Sequence, residues 1–237
     1  MTMSVLTICQ EALEEIGVDP PSTLVSGGDF GAQLLALANS AGRDIARRHD
    51  WQALRTEATF TTVATAEQVD LATDYPYLRR IIPGTMFNRT QQRRIVGPIS
   101  PQAWNRIKAD TLSPATLLWY KRGNSILFPG TPVADETCAF EWLDTRWCSS
   151  SNGASLYEAF VADTDIPRID DYAMVLGVRW RFLKKKGLEY GEEFRQYEDC
   201  IAERAGSDQP PETINLNPHH NTEGFDTIQI PDGNWNL

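Results

Sequence analysis

Apolar residues recur at two different spacings along this chain, and the change from one to the other divides it. Near the start, Val5, Ile8, Cys9, Ala12, Leu13 and Ile16 follow at steps of three and four, which places them on one face of a helix. Gly17, followed by Asp19-Pro20-Pro21, ends it, because glycine accepts a left-handed cap and proline cannot continue a helix. A second helix is predicted from Asp29 as N-cap to about residue 49, with Phe30, Leu34, Leu37, Ala38, Ala41 and Ile45 as its apolar stripe. Its small residues, Ala36, Ala38, Ser40, Ala41 and Gly42, permit a close helix neighbour, and Trp51 closes the unit.

From about residue 56 to residue 147 the pattern alternates and the residues become β-branched and aromatic. Thr59-Phe60-Thr61-Thr62-Val63 and Gln68-Val69-Asp70-Leu71 read as a strand pair, with further strands over 77–82, 85–88 and 93–96. Gly97-Pro98 is a turn, and Ser100 caps a short helix that has Pro101 at its first position and Trp104 and Ile107 on its inner face. Strands over 117–121, 125–128 and 137–143 complete the region, the first two joined across Arg122-Gly123-Asn124.

Helical spacing returns near residue 169. Asp170 or Asp171 supplies negative charge at the helix start, and Tyr172, Val175, Leu176, Trp180 and Leu183 line one face. Lys184-Lys185-Lys186-Gly187 suits the other end, where cations meet the negative pole of the helix. A last helix carries Tyr190, Phe194, Tyr197 and Ile201, making an αα-hairpin able to pack on the first two helices. The predicted fold is therefore α+β, mainly α. It comprises N-terminal bundle helices (1–51), an inserted β-rich module (52–155), a C-terminal helical hairpin completing the bundle (156–205) and an extended arm (206–237).

The arm differs in kind from the body. It holds five acids and no Lys or Arg, whereas the first 205 residues carry 27 acids against 22 bases, within a formal net charge of −10 for all 237 residues. Its polar, proline-containing composition predicts disorder in isolation. Phe225, Ile228, Ile230, Trp235 and Leu237 are nonetheless large apolar residues, suited to anchoring on a partner's strand or pockets. For the chain as a whole, 41% hydrophobic and 23% charged residues are ordinary globular values that allow a substantial core. The negative charge disfavours a protein that coats nucleic acid.

No stretch reaches the roughly 18 consecutive apolar residues of a membrane span, and residues 1–10 lack the features of a signal peptide. Cys9, Cys138, Cys148 and Cys200 show no CxxC spacing and read as reduced, buried thiols.

Chemistry is sparse. There is no GxxxxGK[ST], GxGxxG after a strand, HExxH or GxSxG pattern, and of three histidines His219 and His220 lie in the arm. His49 beside Asp50 reads as a helix-end contact. Asp163, Asp165, Asp170 and Asp171 form the one notable carboxylate cluster. A metal site or a glycosidase-like acid and base pair is the functional reading, while the position just before a helix favours capping. Arg79, Arg80, Arg89, Arg93 and Arg94 cluster on adjacent strands, as a phosphate patch or, in an acidic chain, as a solvated face or a tail or subunit contact. Trp51, Trp104, Trp119, Trp142, Trp147 and Trp180 fall in periodic elements and read as packing, whereas Trp235 reads as a partner anchor. No catalytic residue, metal or cofactor is expected.

The stretch Phe160-Val161-Ala162-Asp163-Thr164-Asp165-Ile166-Pro167, leading into Gly177-Val178-Arg179-Trp180-Arg181-Phe182-Leu183-Lys184-Lys185-Lys186-Gly187-Leu188-Glu189-Tyr190, resembles the head-to-tail adaptor, or tail accessory, family of short-tailed bacteriophages. Ala12-Leu13-Glu14-Glu15-Ile16-Gly17-Val18 and Arg47-Arg48-His49-Asp50-Trp51 are similar to that family's opening. The resemblance implies a non-enzymatic virion protein, assembled in the host cytoplasm into a homo-oligomeric ring, commonly of about twelve copies. It implies contacts with the portal above and with a tail-tube or nozzle protein below, around a channel through which DNA passes without sequence-specific binding. The arm carries no motif of the family. A peptidoglycan-cleaving accessory enzyme resting on the Asp163 cluster, or a neck-completion protein away from the portal, are the alternatives.

Overall fold

In the computed structural model, which describes residues 3–109, 117–130 and 132–208, Ser4 starts the first helix by accepting from the Thr7 amide at 3.2 Å. That helix, α1 (Val5–Glu14), buries Val5, Ile8, Cys9, Ala12 and Leu13. It closes at Gly17, φ 70°, where the Val18 amide donates to the Leu13 carbonyl and the Gly17 amide to that of Glu14, both at 3.0 Å, in a Schellman motif. The second helix, α2 (Gly28–Arg48), begins one residue before Asp29. Gly27 occupies the cap and Asp29 falls in the first turn, so Asp29 acts through charge at the positive helix end and not as N-cap. Phe30 and Leu37 lie only partly buried at the rim of the expected stripe, while Gly31, Gly42 and Ala46 join its buried face.

A 3-10 turn at Gln52–Leu54 leads into the β-rich region. Its elements in chain order are β1 (Arg55–Thr61), β2 (Glu67–Asp70), the one-turn helix α3 (Leu71–Asp74), β3 (Leu78–Ile81), β4 (Phe87–Asn88), β5 (Arg93–Arg94), α4 (Pro101–Ala109), β6 (Tyr120–Arg122), β7 (Ser125–Leu127) and β8 (Thr137–Asp144). Short strands β9 (Cys148–Ser149), β10 (Leu156–Tyr157) and β11 (Ile166–Pro167) follow as a small sheet of their own.

The strand pair expected between residues 59–63 and 68–71 does not form. β1 pairs antiparallel with β8 along its whole length, from Arg55 opposite Leu143 to Thr61 opposite Thr137, while β2 pairs with β7. The core-facing residues supply the reason. β1 sets Ala58 against Phe140 and Phe60 against Cys138, small beside large, and β2 sets Val69 against Ile126. Asp70 then caps α3 by accepting from the Ala72 amide at 3.1 Å, which turns the chain away from β1. The β6–β7 hairpin across Gly123-Asn124 does form, and Ser100 does cap α4, accepting from the Ala103 amide at 3.2 Å.

Helix α5 (Asp171–Lys186) is capped by Asp170, which accepts from the Ala173 amide at 2.8 Å. It ends as α1 does, with Gly187 at φ 72° and the Leu188 amide on the Leu183 carbonyl at 3.0 Å. Tyr172, expected on the buried face, is 49% exposed, and Ala173, Met174, Gly177 and Val178 are buried in its place. Helix α6 (Gly191–Asp208) buries Tyr197 and Ile201 and runs into the first residues of the segment assigned above to the arm.

Two hydrophobic clusters result. One gathers α1, α2, α5 and α6 together with Leu143, Trp147, Cys148 and Phe160, and the other lies under the β1–β8 sheet around Trp119, Phe140 and Trp142. A Cβ on Gly42 would overlap the Trp147 ring, so the small residues of α2 admit an indole as well as a helix. The helix neighbour is α5, where a Cβ on Gly177 would sit 3.0 Å from that of Ala41.

Candidate functional site

The carboxylate cluster is a set of main-chain acceptors. Asp163 accepts from the amides of Leu24 and Val25 at 3.0 Å and from the Thr23 hydroxyl. Burial works to raise its carboxyl, and these hydrogen bonds outweigh it and hold the group below the ordinary carboxylate range. Asp165, 3% exposed, accepts from the amides of Val161 and Ala162 at 2.7 and 2.8 Å, and its own carbonyl takes the Val5 amide at 2.8 Å. Asp171 accepts from the Met3 amide at 2.9 Å, and burial raises its carboxyl. Capping of α5 therefore falls to Asp170 alone. Asp163 and Asp165 fasten the start of α1 and the loop before α2 to the turn that precedes α5. Among the described residues no group of three or more His, Cys, Asp or Glu is arranged to hold a metal.

A second polar centre escaped the sequence reading. Asp44 on α2 accepts from Arg181 on α5 at 2.8 Å and from the Tyr197 hydroxyl on α6 at 2.7 Å, and pairs with Arg48 at 3.2 Å. Arg48 extends the network to Glu198 at 2.6 Å, and Arg181 also donates to the Gly177 carbonyl at 2.9 Å. Burial pushes the Asp44 carboxyl up, and the three donors together pull it below its ordinary range. The G-x-x-W-R part of the motif thus has a structural meaning. Gly177 permits the close helix approach, Arg181 joins three helices, and Trp180 packs on Phe194 at 5.1 Å between ring centres. At the junction of the two clusters, Asp144, fully buried at its side chain, takes Arg146 through both oxygens at 2.7 to 3.1 Å, with Arg168 3.7 Å away.

The five clustered arginines do not act as one patch. Arg79 donates to the carbonyls of Ala46 and Arg47, closing the C-terminus of α2 from a neighbouring strand, and lies 3.5 Å from Asp50. Arg80 pairs with the same Asp50, and Arg89 pairs with Glu57. Arg93 is exposed opposite Asn88, and Arg94 lies against Gly84, where a Cβ would come within 2.9 Å of Nη2. Of the five, Arg79 lines a cleft, which it shares with Arg43, Arg47, Asp144, Thr145, Trp147 and Glu158; the cleft holds about 360 Å³ beside the second half of α2. The sequence signal for Arg43 and Arg47 was their spacing of four on one helix face.

His49 at the end of α2 stands 3.5 Å from the Asp208 carboxylate and packs edge-on against Trp51, whose indole N–H donates to the Ile45 carbonyl at 2.8 Å. Asp208 also accepts from the Gln52 amide at 2.8 Å, so the last turn of α6 is fastened to the body. The four thiols are free, and burial pushes those of Cys9, Cys138 and Cys148 up to about 12, far from a reactive thiolate. No helix among the described residues is long and apolar enough to cross a membrane. Phe225, Ile228, Ile230, Trp235 and Leu237, with His219 and His220, lie outside the described residues.

Compared with known proteins, the chain matches the family model of the SU10 adaptor protein over residues 3–215, a span that takes in both helical segments and the β-rich region between them. No curated protein matches it.

Proposed function

The chain belongs to the SU10 adaptor family of structural phage proteins, and from that premise we propose that it forms a ring under the portal and joins the portal to the tail around the DNA channel. The observation that carries this reading is the family match across 3–215, covering helices and β-rich region alike. In this reading the helical bundle makes the body of the ring, the β-rich module faces a tail-tube or nozzle protein, and the segment beyond Asp208 docks on the portal through Phe225, Ile228, Ile230, Trp235 and Leu237. The protein resides in the virion at the head-to-tail junction after assembly in the host cytoplasm.

Two features support it. The net charge of −10 suits a conduit that DNA must slide through without being gripped. The pairing of Arg79, Arg80 and Arg89 with carboxylates of their own chain lowers the charge they offer to phosphate. The role is non-enzymatic: Asp163, Asp165 and Asp170 serve main-chain amides, which favours fastening over acid and base work.

Electron microscopy of the protein mixed with portal rings of the same phage tests the reading. The expected result is an added layer on the portal, and its absence sinks the proposal. Truncation after Asp208 tests the arm, since it leaves α6 whole. The shortened chain should lose most of its affinity for portal rings, and undiminished binding would dismiss the arm's role.

A further inference from the structure

The cleft beside α2 is built for an acceptor. Arg43 and Arg47 stand one turn apart on its rim and are exposed. Arg43 directs its Nε to the Asn39 carbonyl at 3.1 Å, and the Arg47 guanidinium meets no carboxylate among the described residues. Arg79 closes the third side. Of the two carboxylates lining the cleft, Asp144 is already held by Arg146, and Arg79 is already met by Asp50, which leaves Glu158 as the one lining acid beside the exposed Arg43 and Arg47. Two exposed guanidinium groups that meet no carboxylate among the described residues, beside a single lining acid, suit a carboxylate ligand.

An acidic segment begins close by. Asp208 is bonded to the Gln52 amide, and Asp50, two residues earlier, faces Arg79 at 3.5 Å. The chain continues Gln209-Pro210-Pro211-Glu212, and residues 209–237 hold four acids and no Lys or Arg. Four extended residues span about 13 Å, and a Pro-Pro pair keeps such a spacer stiff. We propose that the Arg43–Arg47–Arg79 cleft binds the Glu212 carboxylate of the same chain, laying the first residues of the arm on the body. The acids of the arm and its apolar residues then have different tasks. Glu212 fixes where the arm departs and in which direction, and the residues from Phe225 onward are left for the partner.

The test uses the full chain in a Cys200→Ser background, with Glu158→Cys at the cleft and Thr213→Cys beside Glu212, so that Glu212 and all three arginines are kept. The other native thiols are buried and act as spectators. Under mild oxidation of dilute protein, an intrachain disulfide is expected to form on the order of tenfold faster than in a control carrying Arg93→Cys with Thr213→Cys, as a locally raised effective concentration requires. Glu212→Gln, or the exposed pair Arg43→Ala and Arg47→Ala, should return the rate to that of the control. A rate indifferent to both changes, or a disulfide formed only between chains, overturns the proposal. The portal is absent from this experiment, so neither outcome bears on the ring reading.

Discussion

Asp44 illustrates how one carboxylate fixes three helices. Its partners sit on α2, α5 and α6, and each would be left with an unmet hydrogen bond if it were removed. Asp44→Asn keeps the shape and loses the charge. Because the group is about one-third exposed, a loss of about 1–2 kcal/mol is expected from chemical denaturation. The pH dependence has a definite sign. The carboxyl is held below its unfolded value, so its contribution is full above the ordinary carboxylate range and is lost as pH falls through the folded value. Melting curves of the parent and Asp44→Asn proteins should differ at neutral pH, begin to converge below about pH 4 and meet only once the pH has fallen past the lowered folded value. A difference that persists unchanged in acid would assign the effect to packing. Gly42 makes the complementary point about volume. Gly42→Ala places a methyl group inside the Trp147 ring contact, and overpacking of that kind costs about 1–3 kcal/mol. Equal stability of the two proteins would show that the ring moves aside freely.

The turn before α5 fastens two separate stretches of chain, the start of α1 and the loop before α2, through Asp163 and Asp165. Asp163→Ala should expose the Leu24 and Val25 amides, and their hydrogen exchange should accelerate on the order of tenfold or more while core amides of α5 change little. Uniform acceleration would instead mean that the turn supports the entire fold. Helix positions and their ends were legible in the sequence, because Gly17 and Gly187 follow periodic runs and Asp170 precedes one. Strand existence was legible for the same reason. Strand partners were legible for the β6–β7 hairpin, where a tight turn joins them, but not for β1, since the alternation of Thr59 to Val63 states which face is buried and says nothing of whether Gln68 or Thr137 will lie alongside. That choice was made by side-chain volumes meeting across about eighty residues, Ala58 on Phe140 and Phe60 on Cys138. Tyr172 was misplaced because α5 is surrounded on more than one side, by α1, α2 and α6, which blurs a single stripe. The candidate site was legible in part. The acids were visible as a group, but the targets of Asp163 and Asp171, the amides of Leu24, Val25 and Met3, are more than a hundred residues away. Asp44 and the Arg43–Arg47 cleft were hidden on the polar face of a helix, where charged residues are the rule.

Taken whole, the molecule joins a helical cluster to a β-rich one through the buried Asp144, Arg146 and Arg168 group, and fastens the last turn of α6 where α2 ends. Such firm internal fastening suits a part that must keep its shape while serving as a joint between two others. The charge follows the same division, with a mildly acidic body and a Lys/Arg-free segment beyond it. Membership of the adaptor family extends across both clusters. The ring on the portal is the step that goes furthest, and the mass of the assembly decides it most directly. Portal rings of the same phage, mixed with excess full-length protein and weighed by native mass spectrometry, should gain a fixed multiple of the 26.6 kDa chain, about twelve copies per ring, with no partly filled species dominating at saturation. A portal whose mass is unchanged, or that takes up copies without saturating, would contradict it.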